Sequence, residues 1–274
     1  MKALIIGNGS REHAIAWKLA KSPLVDKIYI APGNAGTAAI GVNLPIAVSD
    51  IQDIAKAAKY HEIDITIVGP EIPLEAGIID LFQKEGMAAF GPKQQAARIE
   101  SSKVFAKNLM LKNQIPTAPA EVFDSYIEAC RYIESTRPPI VVKADGLAAG
   151  KGVTVATTQE SAIKAAKECL VEHIFGPAGD MILIEECLTG QEVSVFAFTD
   201  GKSISPLIAA CDYKRAYDND LGPNTGGMGS YSPPLFWNHE PINRYAGFIL
   251  ARIATRGDYY ANGGHLLPCN CGFV

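Results

Sequence analysis

The residues best suited to chemistry lie in a glycine-rich stretch near the middle of the chain. Lys143 ends an aliphatic run and is followed by Gly146, Gly150, Lys151 and Gly152. Glycine backbone can bring N–H groups close to phosphate oxygens, and lysine supplies positive charge. A Walker A loop is disfavoured, because Gly146 to Gly150 is one residue short, Gly152 replaces the magnesium-binding Ser or Thr, and a strand follows. We predict a mobile glycine hairpin that closes over a triphosphate, or else a flexible hairpin without a ligand.

Acidic residues follow some forty positions later. Glu185 and Glu186 end a predicted strand, and Leu188 and Glu192 come soon after. A purine base needs a donor and an acceptor, and a ribose diol is well matched by a carboxylate. We therefore predict that residues 185–188 contact a base and that Glu192 contacts a ribose. The alternative is a solvated pair of acids at a strand end.

A second glycine-rich loop spans residues 222–229 and has four glycines in eight positions. Ordering so much glycine costs backbone entropy, and close approach to a ligand would account for it. Asp212, Lys214 and Arg215 precede this loop, and the two cations suit a phosphate or carboxylate. A glycine-rich surface loop is the alternative.

The first strand is followed by a Gly7-x-Gly9 turn that begins a helix. NAD binding is not expected, because Glu12 occupies the third glycine position of the dinucleotide fingerprint and the second strand ends without an acid for a ribose. Free N–H groups at a helix N-terminus still favour a phosphate. Arg11 and His13 would add charge and donors, whereas the alternative is a tight turn with a surface arginine.

The elements that must position these residues fall into two patterns. In the first hundred residues, strands at 3–6, 27–30, 64–68 and 88–90 alternate with helices, one of them opened by a capping-box pattern from Ser49 to Gln52. This alternation predicts an α/β unit with a parallel, doubly wound sheet. Ligands bind beyond the carboxyl ends of such strands, so the loops there should form one crevice.

A second pattern begins near Ser101 with a lysine-rich helix that Pro116 ends. Strands at 141–143, 153–155, 181–185 and 193–198 follow, with a helix capped by the segment from Thr157 to Glu160. Short connections between these strands predict an α+β unit with an antiparallel sheet.

Composition excludes several classes. The chain has 274 residues, 48% of them hydrophobic, and a net charge of −4. The chain has no excess of basic residues that would bind nucleic acid and no apolar run long enough to span a membrane. The N-terminal residues do not match a secretory signal, so we expect a cytoplasmic protein. Six cysteines are too few for a disulfide framework, and Cys269-x-Cys271 alone does not predict a metal site.

Several motifs together carry a family resemblance. In order, they are G-N-G-S-R-E-H, A-P-G-N-A-G-T, V-G-P-E-x-P-L, S-S-K, K-A-D-G-L-A-A-G-K-G and G-P-N-T-G-G-M-G. From Met1 to about Pro234 the chain resembles the phosphoribosylamine–glycine ligases of the ATP-grasp superfamily. The resemblance implies ATP-dependent joining of glycine to 5-phosphoribosylamine through glycyl phosphate, in de novo purine (IMP) biosynthesis. It implies ATP as cofactor, with Mg²⁺ or Mn²⁺ in the full-length family.

The resemblance also implies roles for individual residues. Nucleotide contacts would come from Lys103, Lys143, the lid from Gly146 to Gly152 that includes Gly150 and Lys151, and Glu185, Glu186, Leu188 and Glu192. The phosphoribosylamine side would be formed by Gly9, Arg11, Glu12, His13, Asn34, Gly36, Pro70 and Glu71. The substrates would meet at Asp212, Lys214, Arg215, Asn224, Thr225, Gly226 and Gly227. No nucleophilic side chain is required.

The chain departs from the family beyond Pro234. The family's E-F-N-x-R-F-G-D-P-E segment, which supplies magnesium ligands, is missing, so no metal residue is predicted here. We expect a Rossmann-like domain at 1–100 and an incomplete ATP-grasp domain at 101–274, with a small lid lobe at about 119–190. Residues 241–274 either retain part of the family's sequence just before the metal-binding segment or come from translation out of frame. A nucleotide-binding fragment without turnover, or another ATP-grasp carboxylate–amine ligase, remains an alternative.

Overall fold

The computed structural model describes residues 1–148, 151–190, 192–199, 203–219, 221–225, 227–238 and 265–269. The chain divides into two units, one built mainly on Met1–Arg98 and the other mainly on Ile99–Ala197 and Ser205–Ile253. Within the described ranges, no helix has the length and apolar character needed to cross a membrane.

The first unit is built around a parallel sheet. Its strands are β1 (Lys2–Gly7), β2 (Lys27–Pro32), β3 (Val42–Asn43), β4 (Ile65–Val68) and β5 (Ala89–Phe90), in the order β3-β2-β1-β4-β5. Its helices are α1 (Ser10–Leu19), α2 (Ile51–Tyr60), α3 (Glu71–Glu75) and α4 (Ile78–Lys84), with a 3₁₀ turn at Thr37–Ala39. Helix α5 (Gln94–Ser101) follows.

Apolar side chains cover both faces of this sheet. Leu4 belongs to a core that includes Ile54 of α2 and Phe82 of α4, whereas Ile5 packs with Ala16 of α1. Successive residues of a strand point to opposite faces, so β1 is buried on both sides, as parallel strands usually are. The predicted doubly wound sheet is confirmed.

The chain order of the strands reverses at β1. The chain runs outward from β1 to β2 and β3, then returns to add β4 and β5 on the other side. The loops after β1 and β4 therefore flank a topological switch point, which is where open α/β sheets bind ligands.

The second unit begins with a small antiparallel sheet. Its elements are α6 (Lys103–Lys112), β6 (Ala120–Phe123), α7 (Tyr126–Ser135), β7 (Ile140–Ala144), β8 (Val153–Ala156), α8 (Gln159–Leu170), a 3₁₀ turn (Gly176–Gly179) and β9 (Ile182–Glu186). The strand order is β6-β9-β7-β8, and every pair is antiparallel. Val142 and Ile184 pack with Ile133 of α7 on one face. The alternating residues, including Lys143 and Glu185, lie on the other face.

The remaining strands form a second sheet and a hairpin. They are β10 (Ser194–Thr199), β11 (Ile208–Asp212), β12 (Arg215–Tyr217), β13 (Leu221–Asn224), β14 (Ser230–Tyr231) and β15 (His265–Cys269). A 3₁₀ turn at Leu235–Asn238 lies between β14 and β15. The sheet has the order β14-β11-β10-β15, and β12 pairs with β13. Antiparallel pairing agrees with the predicted α+β pattern.

Two predicted caps are wrong by one residue. Helix α2 is capped by Asp50, whose carboxylate accepts the Asp53 N–H, so Ser49 precedes the helix. Helix α8 is capped by Thr158 in a capping box with Ser161. In both helices the neighbouring polar residue also fits the cap pattern, and the backbone at the helix entry decides between them.

Helix α7 allows a matched test of the second unit's core. Ile133 is fully buried and Ile127 is 63% exposed on the same helix. We expect Ile133→Ala to lower the free energy of unfolding by about 2–5 kcal/mol, because it leaves a cavity. Ile127→Ala should change it by less than about 0.5 kcal/mol. Urea unfolding followed by circular dichroism measures both, and equal losses would contradict this core.

Candidate functional site

A buried carboxylate joins two lysines on the face of the β6-β9-β7-β8 sheet opposite α7 and α8. Glu185 is 7% exposed, and its Oε1 lies 3.1 Å from the Nζ of Lys107. Its Oε2 forms an ion pair with Lys143. Strand register explains the second pair, because Val141 is directly opposite Glu185 and Lys143 is two residues further along the same face. We call Lys103, Lys107, Lys143 and Glu185 the lysine cluster.

Lys107 is the most buried member of the lysine cluster. Its side chain is 5% exposed, and Nζ donates to Thr117 Oγ1 at 2.7 Å and to the Ala118 carbonyl at 2.8 Å. Together with Glu185, these contacts give the ammonium group three oxygen partners. A lysine has three N–H donors, so its hydrogen-bonding capacity is met.

Lys103 lies at the start of α6, beside the glycine loop, by which we mean residues 146–152. Its Nζ donates to the Gly146 carbonyl at 3.0 Å and lies 3.4 Å from the Asp145 carbonyl. Burial lowers the pKa of Lys103 below its ordinary value of 10.5, and Lys143 lowers this pKa further, against opposing effects of Asp145 and Glu185. Lys103 and Lys143 therefore act on each other electrostatically.

Asp145 ties the glycine loop to helix α6. Its carboxylate accepts the Val104 N–H at 2.7 Å and the Ser102 hydroxyl at 3.1 Å. The Ser102 oxygen in turn accepts the Phe105 N–H, so two side chains cap the start of α6. The backbone adds a bond from the Lys103 N–H to the Asp145 carbonyl at 3.1 Å.

The glycine loop is closely packed at both of its described ends. At Gly146, a Cβ would lie 2.8 Å from Ala178 Cα, and at Gly152 it would lie 2.7 Å from Ala148 Cβ. These two positions therefore exclude a side chain for steric reasons. Lys151 is exposed, and Gly150 lies outside the described residues.

The predicted base and ribose contacts differ in exposure. Glu186 is exposed at the end of β9, Leu188 is 45% exposed, and the exposed Glu192 binds the Nζ of Lys214 at 2.6 Å. The alternative of a solvated acidic pair is wrong for Glu185, because that side chain is buried and both of its oxygens are bound by lysines.

Lys214 and Arg215 pack against the second glycine-rich loop. Lys214 Nζ lies 3.8 Å from Asp212 Oδ1, and Arg215 Nη1 donates to the Gly222 carbonyl at 2.6 Å. Thr225 binds the Lys214 carbonyl through its hydroxyl, and it accepts the Gly227 N–H at 3.0 Å. Gly226 and the side chain of Asn224 lie outside the described residues.

A second buried carboxylate organises the switch point of the first unit. Glu12 is 4% exposed, and its Oε2 accepts the Gly9 N–H at 2.8 Å. Its Oε1 accepts from Arg11 Nε at 3.1 Å, while Arg11 also reaches Glu71 Oε1 at 3.3 Å. The Gly9 N–H at this turn is therefore bonded within the first unit, to the carboxylate of the helix's own Glu12.

Glycines surround the Glu12 carboxyl group. A Cβ at Gly69 would lie 2.2 Å from Oε1, and one at Gly9 would lie 2.9 Å from Oε2. Gly7 has a φ of +130°, and a Cβ there would lie 2.4 Å from Glu12 Cγ. Glu12 at the third position of the fingerprint thus explains why the loops after β1 and β4 both need glycine.

The other predicted residues of the first unit lie in contact with the same loops. Gly36 lies against the His13 ring, whose Cε1 would be 2.3 Å from a Cβ at that position. Asn34 donates to the Asn8 carbonyl at 2.9 Å and accepts the Thr37 N–H at 3.0 Å. Pro70 precedes the first turn of α3, which carries Glu71.

Sequence reasoning missed two residues that organise the site. The lysine-rich helix pattern does not single out Lys107, although its spacing of four from Lys103 places both on one helix face. Asp145 lies within the glycine-rich stretch, and an aspartate before glycine is a common cap or turn residue, which is the signal that could have identified it. In the described part of the chain, no group of three or more His, Cys, Asp or Glu side chains could hold a metal ion.

Two family models match the chain. The phosphoribosylglycinamide synthetase N domain matches residues 1–100, and the phosphoribosylglycinamide synthetase ATP-grasp (A) domain matches residues 101–257. A phosphoribosylamine–glycine ligase from Halalkalibacterium halodurans is 51% identical over 93% of this chain and 59% of its own length. One from Yersinia pestis is 51% identical over 100% of this chain and 68% of its own length. The chain thus spans about three fifths to two thirds of these relatives.

Solved structures agree on the fold. The phosphoribosylamine–glycine ligase from Thermotoga maritima is 31% identical with a TM-score of 0.80, over 96% of this chain and 64% of that one. An N5-carboxyaminoimidazole ribonucleotide synthetase, solved as an ADP complex, has a TM-score of 0.67 at 17% identity, over 97% of this chain and 70% of that one. The second likeness concerns the fold alone.

The packing of Gly69 on Glu12 yields a stability prediction. We expect Gly69→Ala to lower the free energy of unfolding by about 1–3 kcal/mol, because the new Cβ overlaps the carboxyl group. In a Glu12→Ala background, the same change should cost less than about 0.5 kcal/mol. Gly229→Ala is the control, because its Cβ would meet nothing within 4 Å. Equal costs of Gly69→Ala in both backgrounds, by urea unfolding, would contradict the packing.

Proposed function

The chain belongs to the phosphoribosylglycinamide synthetase family. On this premise we propose that it acts as an ATP-dependent ligase that joins glycine to 5-phosphoribosylamine. The glycine carboxylate would attack the γ-phosphorus of ATP and release ADP. The amine of phosphoribosylamine would then displace phosphate from glycyl phosphate and yield glycinamide ribonucleotide. This reaction belongs to de novo purine biosynthesis, its substrates are small molecules, and we propose that the protein is cytoplasmic.

The lysine cluster beside the glycine loop is the observation that carries this proposal. Three ammonium groups and one carboxylate give the cluster a net positive charge, on a sheet face next to a glycine-rich backbone. Phosphoryl transfer depends mainly on positioning and on neutralising the charge of the phosphates. Such a cluster suits the triphosphate of ATP.

We propose the following assignments on the nucleotide side. Lys103 and Lys143 bind the phosphates, and the glycine loop covers them. The backbone near Glu186 and Leu188 binds the adenine next to Glu185, and Glu192 binds the ribose, for which it must exchange its bond to Lys214. The described residues do not supply a metal-binding set, so we assign no step to Mg²⁺ or Mn²⁺.

The first unit is proposed to bind phosphoribosylamine. Arg11 supports this assignment, because Glu12 and Glu71 hold its half-exposed guanidinium at the switch point. His13, Asn34, Gly36 and Pro70 would complete the pocket from the neighbouring loops. Asp212, Lys214, Arg215 and the segment from Asn224 to Gly227 would meet both substrates. We propose domains at 1–100 and 101–274, with a lid lobe at about 119–190.

Nucleotide binding can be tested by thermal unfolding. We expect Mg·ATP to stabilise the chain, by about 2.7 kcal/mol at one hundred times the dissociation constant. Lys143→Met should lose this effect, because it removes a phosphate partner. Lys164→Met should keep it, because Lys164 is an exposed residue of α8 paired with Glu168. Absence of stabilisation at millimolar Mg·ATP would contradict the proposed nucleotide site.

Turnover separates the possible functions. Release of ADP that requires both glycine and phosphoribosylamine would support the proposed ligase. Nucleotide binding without ADP release would instead indicate a binding fragment, and ADP release that glycine does not stimulate would indicate another ATP-grasp ligase.

The lowered pKa of Lys103 predicts the pH dependence of nucleotide binding. The group loses its charge as pH rises through a pKa below 10.5, so affinity for Mg·ADP should weaken within the alkaline range by about tenfold. Lys103→Arg should delay this loss, because arginine stays protonated. Titration calorimetry from pH 7 to 10, with circular dichroism as a control for folding, measures the effect. Identical pH profiles of Mg·ADP affinity for the wild-type chain and Lys103→Arg would contradict this role of Lys103.

A further inference from the structure

We infer that Lys107 is a positioning residue that shares the charge of Glu185 and thereby leaves Lys143 available to a phosphate. This inference rests on the proposed nucleotide site and assigns a role to a side chain that would not itself touch the nucleotide. Within the lysine cluster, the one negative charge of Glu185 pairs with two positive charges, those of Lys107 and Lys143.

The two lysines hold Glu185 in different ways. Lys107 has 5% of its side chain exposed and binds Thr117 and Ala118 in addition to Glu185. Lys143 has 28% of its side chain exposed and pairs with the other oxygen of the same carboxylate. Leaving Glu185 would cost Lys107 a buried ion pair, whereas Lys143 can reach solvent. Lys107 is therefore the fixed partner, and Lys143 is the partner that can exchange.

Charge sharing gives this asymmetry a function. One carboxylate between two ammonium groups neutralises neither completely, so Lys143 keeps part of its attraction for an incoming anion. Without Lys107, the whole charge of Glu185 would act on Lys143 in a poorly solvated site, where charge pairs are stronger than in water. Lys143 would then be held more tightly and would exchange Glu185 for a phosphate less readily.

Amine labelling of the nucleotide-free chain measures the availability of Lys143 directly. We would label with an acetyl N-hydroxysuccinimide ester and follow each lysine by peptide mass spectrometry, with the exposed Lys164 as reference. Lys107→Met should slow Lys143 labelling at least threefold, and Glu185→Gln should accelerate it at least threefold. The double variant should behave like Glu185→Gln. Lys112→Met, an exposed change on the same helix, should leave the rate unchanged.

Conservative variants separate charge sharing from packing. Lys107→Arg keeps the charge and should keep more than half of the wild-type labelling rate. Lys107→Gln keeps a donor for Thr117 and Ala118 but should slow labelling as Lys107→Met does, and it replaces that variant if methionine prevents folding. An unchanged Lys143 rate in folded Lys107→Met or Lys107→Gln, or in Glu185→Gln, would overturn the inference.

Nucleotide binding provides the second readout. The affinity for Mg·ADP should fall at least fivefold in Lys107→Met, and this change should have less than a twofold effect in the Glu185→Gln background. If the labelling rates change as expected but the chain binds no Mg·ADP, the charge sharing is supported and the proposed function is contradicted. Intact Mg·ADP binding with equal losses in both backgrounds would contradict the charge sharing and leave the proposed function standing.

Discussion

The buried Glu185 carboxylate is the constraint on which the second unit's site depends. Removing a charged group from water costs several kcal/mol, and only partners with good geometry offset that cost. Lys107 of α6 and Lys143 of β7 meet this need together, so the helix and two strands must keep one arrangement. A one-residue slip of β7 against β9 would turn Lys143 toward the face covered by α7 and α8.

The first unit follows the same physical rule with different residues. Glu12 is buried beneath glycines of two loops, caps its own helix and orients Arg11, which also binds Glu71. In each unit a carboxylate removed from solvent fixes a cation that remains partly exposed. The cost of burying an acid is thus offset by partners that also place a positive charge beside a glycine-rich turn.

Local sequence patterns predicted most of the fold but only part of the site. Strands with aliphatic runs, such as β1, β2 and β4, were predictable, whereas β3 consists of Val42 and Asn43 and has no aliphatic run. The burial of Lys107 was not predictable, because it depends on Thr117 and Ala118 beyond the end of its helix. Asp145 caps a helix more than forty residues earlier, and no local pattern encodes such a contact. The sequence indicated the glycines and the cationic residues of the site, but tertiary structure determines which residues they contact.

The bond network of Asp145 has a mechanical consequence for the glycine loop. Hydrogen bonds join Asp145 and Gly146 to the start of α6 and so hold Lys103 next to the loop's first residue. The backbone at Asp145 and Gly146 is thereby anchored to the helix that carries Lys103. A phosphate held by Lys103 would have a stationary reference point, and adaptation to ligands of different length would fall to the far side of the loop.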